Sequence, residues 1–308
     1  ILAKSITSIS ICIPIYNQDI KPLVRTLANQ ASLFAGFVNI IAVDDASEEV
    51  YKNKNRLLEE KYQIHYEELS NNIGRSAIRN YMASISTGSH CLFLDGDSII
   101  ENPDFLKTYL DALEKNEDAV YCGGTYFQKA NYDANKMLHW TYGTKVIAKL
   151  HSTRQADGRF HFMSSNFVIK KDVFKFISFD ENIREYGHED TIMGYELKEH
   201  QIDVIGIDNP VLHGSLDTNE VFLEKVSQSV FNLKKLKLSG HYEKPLQEIR
   251  LIRTAAKLSL SGFAGIYRWF FDAINALVFK NLNGDKPSLR LLSMYKLYLY
   301  SKKVVTVS

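Results

Sequence analysis

Cysteine is scarce in this 308-residue chain, and its distribution excludes two kinds of protein. Cys12, Cys91 and Cys122 form an odd set, and each lies beside apolar residues. No two of them stand at the short spacing of a metal motif, and an odd set argues against a disulfide framework. We therefore interpret the three thiols as reduced core residues of a cytosolic protein.

The start of the chain lacks the pattern of a secretory signal. Residues 1–17, ILAKSITSISICIPIYN, do not show the succession of charged, apolar and cleavage-site segments, and an Asn-containing loop follows at once. Secretion is therefore not expected. The hydrophobic content of 45% is that of a soluble globular protein with one large core or two smaller ones.

Net charge is also nearly absent, but the two parts of the chain differ in sign. Residues 221–308 hold 15 Lys and Arg against 5 Asp and Glu, whereas residues 1–220 hold 22 against 31. This polarity predicts a surface partner for the basic end.

Short apolar runs alternate with helical patterns in the first hundred residues. The predicted strands are SISICIP, VNIIAVDD, YQIHYEEL and HCLFLDGD, and their alternation with helices predicts a parallel sheet. Asn102 and Pro103 then favour the start of a further helix. In open sheets of this kind a ligand binds beyond the carboxyl ends of the strands, where PIYN, DDAS and DGDS would meet.

Two carboxylates, Asp95 and Asp97, flank Gly96 where the fourth apolar run ends. In a continuing strand residues i and i+2 point to the same side, so both carboxylates would address one target. Two oxygen ligands suit a divalent cation that holds a diphosphate. A solvated turn explains an isolated D-G-D equally well, so the neighbouring segments have to decide.

Two neighbouring segments carry further polar groups. Gly74, Arg75 and Arg79 stand at a loop-to-helix start, where cations and backbone donors suit phosphate or ribose, although solvated arginines on a surface helix fit this stretch alone. Acidic residues crowd into residues 179–197, but a solvated helix start would favour acids there as well.

In their sequence order these segments resemble the family 2 glycosyltransferases, nucleotide-sugar enzymes with the fold called GT-A. The resemblance covers roughly residues 8–215 and is carried by ISICIPIYN, IIAVDDAS, NIGRSAIRN, FLDGDSIIENPDFL, SSNFVIKKDVF and FDENIREYGHEDTIMGYEL. It implies a Rossmann-like α/β fold, in which helices flank a mixed, mainly parallel sheet. We expect a catalytic domain over residues 1–220, divided near residue 100 into nucleotide-sugar and acceptor halves, and a helical C-terminal extension over residues 221–308.

The resemblance also implies roles for single residues. The nucleotide-sugar would be bound by Pro14, Tyr16, Asp45, Gly74, Arg75, Arg79, Asp95 and Asn166. Pro14 and Tyr16 would shape the first loop around the base, and Asp45 would hydrogen-bond the base. Asp95 would lie near the ribose and the metal, and Asn166 would border the sugar and acceptor site. Asp44 would be structural.

The metal ligands and the catalytic residues follow from the same resemblance. Asp97 would be the direct metal ligand, with Asp95 beside it and His213 of NPVLHGSL as a further ligand, although a lone histidine is more often structural. A mixed His and Asp site admits Mn²⁺ as readily as Mg²⁺. Asp190 would be the catalytic base, and Glu189 would orient the acceptor or the donor sugar.

The implied function is inverting transfer of a sugar from a nucleotide-sugar, with UDP-sugars as the commonest donors in the family. The acceptor would be a hydroxyl of a glycan or lipid-linked glycan in bacterial cell-envelope polysaccharide biosynthesis. No nucleic-acid partner is implied, and the oligomeric state stays open. Residues 123–165 are interpreted as a variable insertion or an acceptor-facing loop.

Two other classes remain as alternatives. LFLDGDSI approximates the signature of haloacid-dehalogenase-type phosphatases, in which the first Asp is a phosphorylated nucleophile. That signature normally opens its domain, whereas here it begins only at residue 92. Ile99 also occupies the position where the signature has Thr or Val. The other alternative is a non-catalytic module that binds nucleotide-sugars, against which the intact GHED argues.

The basic end contains the strongly apolar stretch KLSLSGFAGIYRWFFDAINALVFKNL. Gly262, Gly265, Arg268 and Asp272 interrupt it, which favours a packed or interfacial helix over a transmembrane one. A helical lid is one interpretation. The other is a segment lying on an anionic leaflet at the inner face of the cytoplasmic membrane, because cations interleave with large apolar residues in FNLKKLKL, RLIRTAAK and LYLYSKKVV.

Overall fold

The computed structural model describes residues 7–128, 133–148, 162–184 and 186–302. They form two compact units. The first contains Ile1–Gln128, Ile147–Arg184 and Glu189–Ser215, and the second contains Lys129–Val146, Glu185–His188 and Leu216–Ser308. The chain enters the second unit for the last time after Ser215. A catalytic domain that ends at residue 220 stays a prediction.

The strands and helices are numbered here in chain order. The strands are β1 (Ile9–Ile15), β2 (Val38–Asp44), β3 (His65–Glu68), β4 (His90–Leu94), β5 (Ser98–Ile99), β6 (Val120–Cys122), β7 (Thr125–Tyr126), β8 (Asn166–Lys170), β9 (Val204–Gly206) and β10 (Val211–His213). The helices are α1 (Lys21–Ala31), α2 (Glu49–Tyr62), α3 (Arg75–Ile85), α4 (Phe105–Lys115), α5 (Met137–Tyr142), α6 (Glu189–Glu199), α7 (Asn219–Ser239), α8 (Glu243–Gln247), α9 (Arg250–Leu260), α10 (Ala264–Leu282) and α11 (Leu289–Ser301). Short 3₁₀ turns cover Ser32–Phe34, Ala134–Lys136 and Lys171–Lys175, and a π-helical turn covers Gly143–Ile147.

The central sheet of the first unit is mixed and mainly parallel. Within the described residues it has seven strands in the order β3-β2-β1-β4-β8-β6-β9. Strand β8 runs antiparallel to β4 and to β6, and the other neighbouring pairs are parallel. The predicted α/β fold with a mixed, mainly parallel sheet is confirmed.

Both faces of this sheet are covered, which explains the continuous apolar runs of its strands. Ile11 and Ile13 of β1 pack into one core, whereas Cys12, between them, packs into the core on the opposite face. Cys91 and Cys122 lie in that second core, and all three thiols are free and buried. Burial raises the pKa of the Cys12 thiol well above its ordinary value. The interpretation of the cysteines as reduced core residues is confirmed.

A smaller sheet places the end of β10 beside the D-G-D segment. In the described residues its three strands follow the order β5-β10-β7, with β10 antiparallel to β5 and parallel to β7. His213 is the register partner of Ser98, the residue after Asp97. This pairing joins positions more than a hundred residues apart in the chain.

A buried hydrogen-bond network centred on Asn166 braces the same region. The hydroxyl of Tyr109 donates to Asn166 Oδ1 at 2.6 Å, and Asn166 Nδ2 donates to the carbonyls of Gly124 and Asn209 at 2.9 and 3.0 Å. Asn209 Nδ2 in turn donates to the Phe105 carbonyl at 2.9 Å. The network therefore ties α4 and β8 to the loop that leads into β10.

The start of α4 differs from the sequence prediction. The helix begins at Phe105, not around Asn102 and Pro103. Asn102 accepts a hydrogen bond from the Asp104 amide and donates to Asn209 Oδ1 at 2.8 Å, so its side chain joins the network and does not cap the helix.

The second unit is helical, as predicted for the C-terminal extension. Helix α7 begins after Thr218, whose side chain accepts from the Val221 amide. The core of the second unit includes Phe271 of α10, which stacks on Tyr298 of α11 with ring centroids 4.2 Å apart. No helix in the described parts of the chain is long and apolar enough to cross a membrane.

The Asn166 network predicts that Tyr109→Phe will destabilise the protein by about 1–3 kcal/mol, because Asn166 Oδ1 would be left buried without its donor. Chemical denaturation measures the effect. Tyr121→Phe is the matched control, since that hydroxyl donates to the Asn116 carbonyl in a partly buried place and its loss should cost less. Equal unfolding midpoints for the two variants would contradict a bracing role for the network.

Candidate active site

The loops that follow β1 and β2 are hydrogen-bonded to each other. The Asn17 amide donates to Ser47 Oγ, and the Glu48 amide donates to Asn17 Oδ1, both at 2.8 Å. Asp44 is fully buried and accepts from the Ser47 amide at 2.7 Å, in agreement with a structural role. Asn17 and Ala46 both have a left-handed backbone, with φ of 50° and 60°. The two loops therefore hold a defined shape at the carboxyl end of the sheet.

Asp45 connects these loops to the start of α3. Its Oδ1 accepts from the Ile73 amide at 2.7 Å and its Oδ2 accepts from the Gly74 amide at 3.0 Å. Burial raises the pKa of Asp45, and the two amide hydrogen bonds oppose that rise. Gly74 has φ +87°, a conformation that favours glycine. Asp45 thus closes a loop in this structure, and its predicted hydrogen bond to a nucleobase remains untested.

The first loop also touches the D-G-D segment. A Cβ built on Gly96 would lie 3.4 Å from the Pro14 carbonyl oxygen and 3.2 Å from Ile20 Cγ2, so a side chain would press on the first loop. Tyr16 is 60% exposed at the start of that loop. PIYN and DGD therefore converge at the carboxyl edge of the sheet, as the strand order predicts.

The two carboxylates of this segment have different partners. Asp95 Oδ1 lies 2.8 Å from Arg79 Nη2, whereas Asp97 Oδ2 lies 3.2 Å from His213 Nδ1 and accepts from Ser215 Oγ at 2.7 Å. The strand alternation on which the shared target was predicted is absent, because β4 ends at Leu94 and residues 95–97 form a turn. A shared target of the two carboxylates stays a prediction.

Arg79 acts on Asp95 from inside the protein. It is 1% exposed, its Nη1 donates to the Arg75 carbonyl at 3.0 Å, and its guanidinium lies 5.6 Å from the ring centre of Phe179. Burial lowers the pKa of Arg79, and the charge of Asp95 opposes that change. Because Arg79 is buried, its predicted support of the nucleotide would be indirect, through the position it gives Asp95, and it stays a prediction.

Three features hold His213 beside Asp97. The ring of His213 stacks on Phe127 at 5.1 Å, and the Gly214 amide donates to the Asp97 carbonyl at 3.0 Å. A Cβ on Gly214 would lie 2.3 Å from that carbonyl oxygen, so only glycine allows this approach. Sequence reasoning did not find Phe127 or Ser215, because only the pairing of β10 with β5 and β7 brings them here.

A divalent cation fits this pair by the chemistry of its donors. In the described segments no three His, Cys, Asp or Glu side chains are grouped so that they could hold a metal ion. Such a cage is not needed, because Mg²⁺ in phosphate-transfer sites is often held by one or two carboxylates, substrate phosphates and water. One carboxylate oxygen with one imidazole nitrogen also suits Mn²⁺. Asp95, paired with Arg79, is the weakest of the three predicted ligands.

The GHED segment supplies a carboxylate with a raised pKa. Glu189 opens α6, and its Oε1 lies 3.4 Å from Arg75 Nη1 with its side chain only 5% exposed. Asp190 Oδ1 accepts from the Thr191 amide at 2.7 Å. Burial, and after it the charge of Glu189, raises the pKa of Asp190 to about 6. Asp190 can therefore exchange a proton near neutral pH.

Asn166 does not reach the surface. It is 0% exposed, and its amide oxygen and nitrogen bond to Tyr109, Gly124 and Asn209. This corrects the expectation of direct contact with the sugar or the acceptor, because no atom of the side chain is accessible to a ligand. Its effect on the site is to fix the walls around it.

The contact at Gly214 predicts that Gly214→Ala will separate β10 from β5 and lower the free energy of unfolding by about 1–3 kcal/mol, as overpacking usually does. Gly265→Ala is the control, because the nearest atom to its added Cβ is 4.0 Å away and alanine is favoured inside a helix. Chemical denaturation of both variants measures the effect. An unchanged unfolding midpoint for Gly214→Ala would contradict the close approach of Gly214 to the Asp97 carbonyl.

Comparison with known proteins agrees with this architecture. The solved structures that resemble the chain include the mannosyltransferase PcManGT from Pyrobaculum calidifontis, in complex with GDP-Man and Mn²⁺, with a TM-score of 0.58 and 11% identity over 97% of this chain and 89% of that chain. They also include S. aureus TarS, with a TM-score of 0.50 and 17% identity over 96% of this chain and 54% of that chain. Identities this low show the fold alone, which is GT-A.

Sequence comparison supplies the family. No curated protein matches the chain. The sequence model of Glycosyl transferase family 2 matches residues 10–177, a range that includes the first two loops, α3 and the D-G-D segment and ends before Glu189. Because this match covers more than half of the chain, the protein belongs to Glycosyl transferase family 2.

Proposed function

We propose that this glycosyltransferase moves a sugar from a nucleotide-sugar to an acceptor hydroxyl, with divalent-metal dependence and inversion at the anomeric carbon. The observation that carries the proposal is the placement of Asp97 against His213 at the carboxyl edge of the sheet. The family match and the GT-A fold rule out the phosphatase alternative.

Asp97 and His213 would hold Mn²⁺ or Mg²⁺. When bound there, the cation would neutralise charge on the leaving nucleoside diphosphate. Ser215 Oγ donates a hydrogen bond to Asp97 Oδ2, the same oxygen that lies near His213 Nδ1. Ser215 therefore orients the Asp97 carboxylate toward that role. The buried Arg79 keeps Asp95, the residue before Gly96, in place.

Asp190 is proposed as the general base. It takes the proton of the acceptor hydroxyl while that oxygen bonds to the anomeric carbon and the bond from this carbon to the diphosphate oxygen breaks. Its raised pKa suits this task, because a carboxylate with a pKa about 6 is ionised at neutral pH and still more basic than an ordinary aspartate. Arg75 holds Glu189 in an adjoining position, from which Glu189 would orient the sugar or the acceptor.

The substrates are proposed by class. UDP-sugars are the first donors to test, and GDP-mannose joins the panel because PcManGT was solved with GDP-Man. The acceptor would be a hydroxyl of a glycan or lipid-linked glycan of the bacterial cell envelope. Incubation with each donor and Mn²⁺, followed by measurement of nucleoside diphosphate release, separates an enzyme from a non-catalytic binding module.

Asp97→Ala should abolish the Mn²⁺-dependent part of nucleotide binding, because it removes the carboxylate at the proposed metal position. Calorimetric titration with UDP and GDP, with and without Mn²⁺, measures it. Asp118→Ala serves as a control, since Asp118 pairs with Lys170 and its side chain is 76% exposed. Undiminished metal-dependent binding in Asp97→Ala would remove Asp97 from the metal site.

Asp190→Asn should reduce transfer by roughly 10²- to 10⁴-fold while donor affinity stays within a few-fold, because the amide keeps the size of the carboxyl but cannot accept the proton. The wild-type rate should rise with pH through about 6 and level off above it, since the base works in its ionised form. The rate should fall about tenfold for each pH unit below that pKa.

Glu189→Gln is the matched variant for this test. It keeps Asp190 and should retain the lower limb of the pH profile, moved toward lower pH because the charge of Glu189 contributes to the raised pKa. Normal turnover in Asp190→Asn together with a dead Glu189→Gln would assign the base to Glu189.

A further inference from the structure

Helix α10 has two apolar faces. Phe271, Val278 and Leu282 are buried in the core of the second unit. On the opposite side a stripe of large apolar residues is exposed, formed by Ile266, Trp269, Phe270 and Leu277. Their spacing of three, four and seven residues places them on one face of the helix.

The exposed stripe continues into the end of α9 and the turn before α10. Leu260 is 89% exposed, Phe263 follows in the turn, and Trp269 is 72% exposed. A contiguous apolar surface of this kind on a soluble protein usually marks a binding site for a protein or a membrane.

The charged residues inside this stretch do not interrupt the stripe. Arg268 Nη1 donates to the Ser301 carbonyl at 3.1 Å, and the Tyr298 hydroxyl donates to the Asp272 carboxylate. Both therefore bond to α11. Arg268 and Asp272 interrupt the apolar stretch in the sequence, as predicted, which argues against a spanning helix. They do not interrupt the exposed apolar face of α10.

Helix α9, which precedes the stripe in the chain, carries positive charge. Arg250, Arg253, Thr254 and Lys257 line a surface depression of about 360 Å³, and their spacing puts them on one face of the helix. The sequence from residue 249 to residue 271 contains no Asp or Glu. A partner for this surface therefore has to offer negative charge together with an apolar interior.

We propose that α9, the following turn and the exposed stripe of α10, together called the α9–α10 surface, dock the enzyme on an anionic lipid leaflet. Lipid headgroups would meet Arg250, Arg253 and Lys257, and acyl chains would meet the stripe. Trp269 suits the boundary between headgroups and acyl chains, where tryptophan is enriched.

A second copy of the chain fits this surface less well. In a two-fold symmetric dimer the same patch meets itself, so a face rich in Arg and Lys would approach its own equivalent. Nothing acidic between residues 249 and 271 would offset that repulsion. The charge pattern therefore favours lipid over self-association.

Flotation of the full-length protein with vesicles tests the proposal without any reference to glycosyl transfer. The protein should float with vesicles of phosphatidylcholine and phosphatidylglycerol, stay behind with phosphatidylcholine alone, and be released by high salt. Replacing Arg250, Arg253 and Lys257 together by Gln should weaken binding on the order of 100-fold. Ile266→Ser combined with Phe270→Ser should also release the protein, because both side chains are exposed and their loss leaves the core unchanged.

The matched control combines Leu57→Ser with Lys115→Gln on the first unit. Leu57 is 72% exposed and Lys115 is exposed as well, so this control removes one exposed apolar side chain and one charge away from the proposed surface. It should bind vesicles like the wild type. Equal loss of binding in the control, or unchanged binding in both surface variants, would overturn the proposal.

Tryptophan fluorescence gives a direct readout of the docked surface. The chain has two tryptophans, so Trp140→Phe leaves Trp269 as the reporter. Its emission should shift to shorter wavelength with anionic vesicles and be quenched by brominated acyl chains. No shift, together with a dimer in sedimentation that the Ile266→Ser and Phe270→Ser variant abolishes, would assign the surface to a contact between two copies.

Discussion

The candidate site depends on the ion pair between the buried Arg79 and the half-buried Asp95. An arginine that is 1% exposed has to be paired, since a buried charge without a partner is strongly unfavourable. The pair therefore fixes the turn after β4 against α3. Asp95 is used in this contact, which leaves Asp97 as the carboxylate directed to His213. The two acids of D-G-D thus have different contacts, Asp95 with Arg79 and Asp97 with His213.

The rest of the site is assembled by contacts that are distant in sequence. Asp45 ties the second loop to the start of α3, and Asn166 joins α4 and β8 to the loop before β10. Strand β10 then carries His213 to Asp97. The contacts of Asp45 and Asn166 are made by buried groups, so they fix the loops and strands around the site.

Sequence reasoning predicted the fold well where the signal was local. Strands β1, β2 and β4 are mostly apolar because both faces of the sheet are covered, and each end of their predicted positions lies within three residues of the observed end. The convergence of the loops follows from parallel order alone. The continuing strand that was assumed for Asp95 and Asp97 is absent, because the sequence pattern does not show that β4 ends at Leu94. The burial of Asn166 was also missed, since its partners come from positions 109, 124 and 209.

The three cysteines of the first unit can report how often its sheet opens. All three lie buried in strands of that unit, and the sequence has no cysteine after Cys122. A thiol reagent can reach them only when the sheet opens, so the rate of alkylation measures the population of that opened state when closing is fast. The helical second unit contributes no signal to such an experiment. Trp140 and Trp269 both belong to the second unit, so their fluorescence follows that unit while alkylation follows the sheet.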